Sequence, residues 1–148
     1  MKKRNNKSIS MKLAGFFITV AIAGAISIFC LSFTKMPDKW TAPASADKMT
    51  NPVSADANTL KDGKVLYTKN CEQCHGRKGK GDGWQSTNIE AKIGDLSAVE
   101  IGSESDGAIF WKITQGNKPM PSMKKDLSDE QRWKLVLYVR EFEKQKAR

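Results

Sequence analysis

Cys71-Glu72-Gln73-Cys74-His75 is the stretch on which the reading of this chain turns. Two thiols three positions apart, followed at once by an imidazole, form the C-x-x-C-H pattern. Its spacing lets both thiols add to the vinyl groups of a haem while the histidine reaches the iron from one face. The competing reading is a redox C-x-x-C with an incidental histidine. That motif needs a strand before it and a helix after it. Here a helical pattern precedes, and the glycine-rich run Gly76 to Gly83 follows, which reads as loop.

Outward from the motif the chain reads as short helices. Leu60 to Lys69 carries Leu60, Val65, Leu66 and Tyr67 and leads into Cys71. Asp106 to Thr114 places Ile109, Phe110 and Ile113 at helical spacing, with Gly116 as the stop signal. Ser128 and Gln131 have the form of a capping box, after which Trp133, Val136, Leu137, Tyr138, Val139 and Phe142 give a broad apolar face. No alternating strand pattern of useful length occurs, so the expected class is all-α with long loops.

The second axial position decides what such an iron does. A strong side-chain ligand makes an electron carrier, and an open position permits gas binding or peroxide chemistry. His75 is the only histidine. Met1, Met11, Met36 and Met49 fall in or beside the tail, apolar run and tether, which leaves Met120 and Met123 on the loop Gly116-Asn117-Lys118-Pro119-Met120-Pro121-Ser122-Met123. Pro119 and Pro121 restrict the backbone around Met120 to extended conformations. Met120 is the expected distal ligand, and Met123 the alternative, better read as an apolar gap-filler.

The N-terminal part has a different character. Residues 1–12 are basic, with Lys2, Lys3, Arg4, Lys7 and Lys12. Residues 13–33, Leu13 to Phe33, carry no charged side chain. As a helix they would run about 31 Å, enough for a bilayer core. The basic flank places the N-terminus in the cytoplasm and everything downstream on the outer side of the cytoplasmic membrane. A cleaved signal peptide competes, since Ala44-Ser45-Ala46 has the small-x-small form, but it lies well past the apolar run. Cys30 reads as apolar filler within that run. Residues 34–58 hold Pro37, Pro43 and Pro52 among Ala, Ser, Thr and Asn, the composition of a flexible tether. Trp40 is the one residue in it suited to docking. Residues 59–148 form the expected haem domain.

Charge and cysteine count exclude other classes. The net charge of +9 owes five units to the N-terminal tail; from Thr59 onward 17 Lys+Arg face 13 Asp+Glu, a balance of +4. That is too mild for nucleic acid. Three cysteines and one histidine exclude a Cys₄ or ordinary Cys₂His₂ zinc site within one chain.

With these residues in view, the sequence resembles the class I cytochrome c family over about Thr59 to Phe142, in particular its membrane-anchored bacterial monohaem members. The resemblance is carried by Asp62-Gly63-Lys64-Val65-Leu66-Tyr67, by Cys74-His75-Gly76-Arg77-Lys78-Gly79-Lys80-Gly81-Asp82-Gly83, by Pro119-Met120-Pro121, and by Leu127-Ser128 leading to Tyr138-Val139-Arg140. It implies one covalently attached haem c, a first and last helix that cross, and a meeting of Gly63 and Tyr67 with Trp133 or Tyr138. It also implies a one-electron carrier without substrate turnover, passing electrons from a respiratory complex or dehydrogenase to a terminal acceptor. Arg77, Lys78, Lys80, Lys118, Lys124 and Lys125 would rim the haem edge and steer acidic redox partners. A haem fixed as a relay in a respiratory complex, and a five-coordinate haem sensor or peroxidase, are the alternatives. One departure stands out: no proline occurs from Gly76 to Lys118 to supply the carbonyl that orients the proximal histidine. That acceptor is expected among the backbone carbonyls from Trp84 to Ile93.

Overall fold

The computed structural model describes residues 39–146. The basic tail and the apolar run at 13–33 lie outside them. Among the described residues no helix is long and apolar enough to cross a membrane. These residues form five α-helices: α1 (Ala57–Asn70), α2 (Glu72–His75), α3 (Val99–Gly102), α4 (Asp106–Gln115) and α5 (Asp129–Lys146). They contain no strand, only an isolated bridge between Asn117 and Met120. The all-α expectation holds.

Each long helix starts where its sequence offers a cap. Asp56 accepts from the Asn58 and Thr59 amides at 2.8 and 2.9 Å, while Thr59 Oγ1 accepts from the Asp56 amide at 2.9 Å. Three donors that the first turn leaves without helical partners are thus satisfied. Ser105 Oγ accepts from the Ala108 amide at the start of α4. The expected box at α5 is present: Ser128 Oγ accepts from the Gln131 amide, and Gln131 Oε1 accepts from the Ser128 amide. Gly116, at φ +66°, ends α4.

The first and last of these helices are in backbone contact. A Cβ on Gly63 would lie 2.5 Å from the Lys134 carbonyl oxygen and 3.0 Å from Tyr138 Cβ, so only glycine allows this approach. One turn on, Tyr67 is 1% exposed and packs its ring against Tyr138 at 5.3 Å and Phe142 at 5.0 Å. Of the two partners expected for Gly63 and Tyr67, Tyr138 is the one they meet. Trp133 instead stacks on Phe110 of α4, with centroids 4.0 Å apart. Ile109, Ile113, Leu135, Val136 and Val139 complete the core.

Of the segment 34–58, the part from Trp40 onward lies on the domain as a strap. Ala46, in a 3₁₀ turn, is 2% exposed, and its carbonyl oxygen would be 1.9 Å from a Cβ on Gly107 of α4. Trp40 packs against Trp111 at 6.5 Å and lies under the Lys112 ammonium. Ser105 Oγ donates to Asp47, and Asn51 Nδ2 donates to the Trp133 carbonyl. Proline and small residues here make a close-fitting extended segment, because α4 presents Gly107 and Trp111 as a surface to receive it.

Candidate haem-binding site

The helical ladder of α1 runs into the motif, with the Cys71 amide bonded to the Tyr67 carbonyl at 2.8 Å. Helix α2 then displays Cys71, Cys74 and His75 over one turn, and Gly76, at φ +77°, turns the chain away. The glycine-rich loop returns its amides to the motif's own carbonyls. Gly81 donates to His75, Gly83 to Cys74 and Gln85 to Gln73, at 2.9, 3.2 and 2.8 Å. A Cβ on Gly83 would sit 2.3 Å from the Gln73 oxygen, which is why this approach needs a glycine. Tyr67 adds a buried brace, donating from its hydroxyl to the Gly76 carbonyl at 2.6 Å. The turn that carries the motif is therefore held on both sides.

The imidazole of His75 presents Nδ1 to the Gly94 carbonyl at 3.4 Å. The acceptor is thus one residue beyond the stretch Trp84 to Ile93 where it was expected. A backbone carbonyl does the orienting here without proline, and Nε2 is left as the donor nitrogen. Burial holds the His75 pKa below its ordinary value, so the ring is neutral at pH 7 with a lone pair to give. Burial also pushes the Cys71 thiol up to about 12, with Cys74 adding to the effect. Cys74 Sγ lies 3.8 Å from Gln85 Oε1.

The methionine loop departs from the extended run expected of it. Asn117 and Met120 exchange both backbone hydrogen bonds, at 3.0 and 2.9 Å, closing a tight turn over Lys118 and Pro119, whose peptide bond is cis. Met123 is 8% exposed within the core, and its amide donates to the Ile113 carbonyl. Met120 is half-buried and, like Cys71, packs against that same core. Of the expected basic rim, Arg77 pairs with Glu72 and Lys80 with Asp95 and Ser97. Lys78, Lys118, Lys124 and Lys125 are exposed.

These residues fit a covalently held haem. Two thiols and a neutral, oriented imidazole share one helical turn, and Cys71 and Met120 border a common apolar core against which a macrocycle could lie.

A helical domain closed around a C-x-x-C-H turn is a class I c-type cytochrome. Residues 58–139, more than half of the chain, match the family described as cytochrome c oxidase, cbb3-type, subunit III, and the chain belongs to that family. It carries covalently bound haem c with its iron and is an electron-transfer protein. Among solved structures it is similar to a chain of the reducing HAO-like protein complex of Kuenenia stuttgartiensis, at 27% identity with a TM-score of 0.56. That likeness covers 75% of this chain and 53% of the other, so this chain spans about half the length of its structural relative. No curated protein matches the sequence.

Proposed function

We propose that the protein is a one-electron carrier with His75 and Met120 as axial ligands, anchored by residues 13–33 so that the haem domain faces the outer side of the cytoplasmic membrane. The observation that carries the ligand reading is that Cys71 and Met120 both pack against one apolar core, with Nδ1 of His75 turned to Gly94. Met123 supports it by its burial, which commits its side chain to the core. Bound haem iron supplies a single electron that it accepts and gives up, and methionine ligation sets it at a higher potential than a second nitrogen ligand would. The protein's part is to hold the iron between two fixed side chains, keep water away and present a cationic surface to redox partners.

The test is the optical spectrum of the oxidised, haem-loaded protein beside Met120→Ala. A weak near-red methionine-to-iron band, present in wild type and lost in the variant, is the expected result. Absence of the band together with ready binding of carbon monoxide by the reduced protein would instead establish an open, five-coordinate iron.

A further inference from the structure

Arg132 has no place in the account so far, yet it is among the most buried polar residues described. It is 4% exposed, in the first turn of α5, with its guanidinium 5.0 Å from the centre of the Phe110 ring. Its only carboxylate partner among the described residues is Asp129, whose own side chain is 81% exposed, so the acid stands in solvent while the guanidinium lies inside. Burying such a group is costly, and a well-packed apolar side chain would serve stability as well. What it touches explains its presence.

Arg132 Nη1 donates to Thr114 Oγ1 at 2.7 Å. The Thr114 hydroxyl proton is committed to the Phe110 carbonyl at 2.7 Å, which leaves the oxygen free to accept. Thr114 lies in the last turn of α4, where carbonyls lack helical donors. Two of these carbonyls are taken by the methionine loop. Ser122 Oγ donates to the Thr114 carbonyl at 2.6 Å, and the Met123 amide donates to the Ile113 carbonyl at 3.1 Å. Arg132 Nε also reaches the Ser128 carbonyl at 3.4 Å, at the head of α5. One rigid fork therefore ties the start of α5 to the end of α4, and the end of α4 holds the loop at Ser122 and Met123, immediately after Pro121.

We propose that Arg132 is a positioning residue for the distal side of the haem: by clamping the last turn of α4 it fixes the Gly116–Met123 loop and keeps the Met120 thioether on the iron. This rests on Met120 being the distal ligand. A clamp of this kind acts on the equilibrium between thioether and any competing ligand, since a loosened loop lets the sulfur leave. The fork geometry suits arginine because Thr114, Ser128 and Asp129 are engaged at once.

The experiment titrates the oxidised, haem-loaded protein with imidazole, following the main haem absorption band, in wild type, Arg132→Met, Met120→Ala and the double variant. Arg132→Met is expected to bind imidazole about tenfold more tightly than wild type, equivalent to ~1.4 kcal/mol. Met120→Ala should bind it more tightly again, and adding Arg132→Met to Met120→Ala should change nothing further. Thr114→Val removes the acceptor while keeping the shape, and should shift affinity in the same direction; it carries the test if Arg132→Met does not fold. If Met120→Ala gains affinity while Arg132→Met, or Thr114→Val in its place, binds imidazole as wild type does, whatever happens to the melting temperature, Arg132 is structural only and the inference is overturned. If Met120→Ala gains no affinity, the ligand assignment fails and takes the inference with it.

Discussion

Two glycines on this chain make opposite demands on a methyl group. At Gly63 a Cβ would meet the Lys134 carbonyl oxygen at 2.5 Å, whereas at Gly94 it would meet nothing within 4 Å. Gly63→Ala must push α1 away from α5, which we expect to cost roughly 1–3 kcal/mol, as overpacking does. Gly94→Ala, at a backbone without positive φ, is expected to stay within about 1 kcal/mol of wild type and to lean toward greater stability. Chemical denaturation of the haem-loaded variants checks both; equal losses at the two sites would contradict the contact described. Single residues were also where the sequence was most and least informative. The spacing of Cys71, Cys74 and His75 is a chemical requirement written in consecutive letters, and Gly63 with Tyr138 could be paired through the resemblance. The carbonyl that orients His75 belongs to Gly94, and a backbone oxygen leaves no trace in residue type. Arg132 escaped notice because a charge at the head of a helix reads as solvated, and only the arrival of Thr114 and Phe110 makes that position interior.

At the scale of elements, the strap from Trp40 to Ser54 is the main structural addition to what the sequence offered. Its prolines and small residues lack any period, and its burial exists only because α4 provides a receiving surface. Trp40 was the one legible hint. A fragment beginning at Lys39 is expected to be as stable as the longer protein's domain, and one beginning at Ala55, which keeps the cap of α1, less stable by about 2–4 kcal/mol, from the lost burial of Trp40, Ala46 and Val53. Thermal melts followed through the haem absorbance would show it; coincident melts would mean the strap contributes nothing. The cap of α1 gives a second test. Hydrogen bonds from Thr59 first, then Asn58, hold the Asp56 carboxyl below its usual range. A depressed folded-state pKa means stability that is present above the unfolded value and lost as pH falls through the folded one. The melting temperature should therefore decline as pH drops below about 4. Asp56→Asn, which can still cap, should decline less steeply; identical acid profiles would remove Asp56 from the account.

For the domain as a whole, from Thr59 onward, the excess of positive charge is a modest +4, and of the six cations expected at the haem edge two are already engaged, Arg77 by Glu72 and Lys80 by Asp95. Electron transfer to an acidic partner should therefore slow with rising salt, and replacing Lys118, Lys124 and Lys125 with glutamine should remove most of that dependence, whereas Arg77→Gln should matter little. Stopped-flow rates across a salt series decide it, and a flat series in wild type would dismiss steering. The contact between α1 and α5 bears on a different matter, the order of events in time. Gly63 is met by Lys134 and Tyr138, more than 70 residues further along. During synthesis the cysteine turn therefore emerges before the helix that packs against α1. Throughout that interval Cys71 lacks the burial that the folded domain gives it. The fold thus leaves the cysteine turn open to haem until α5 has arrived.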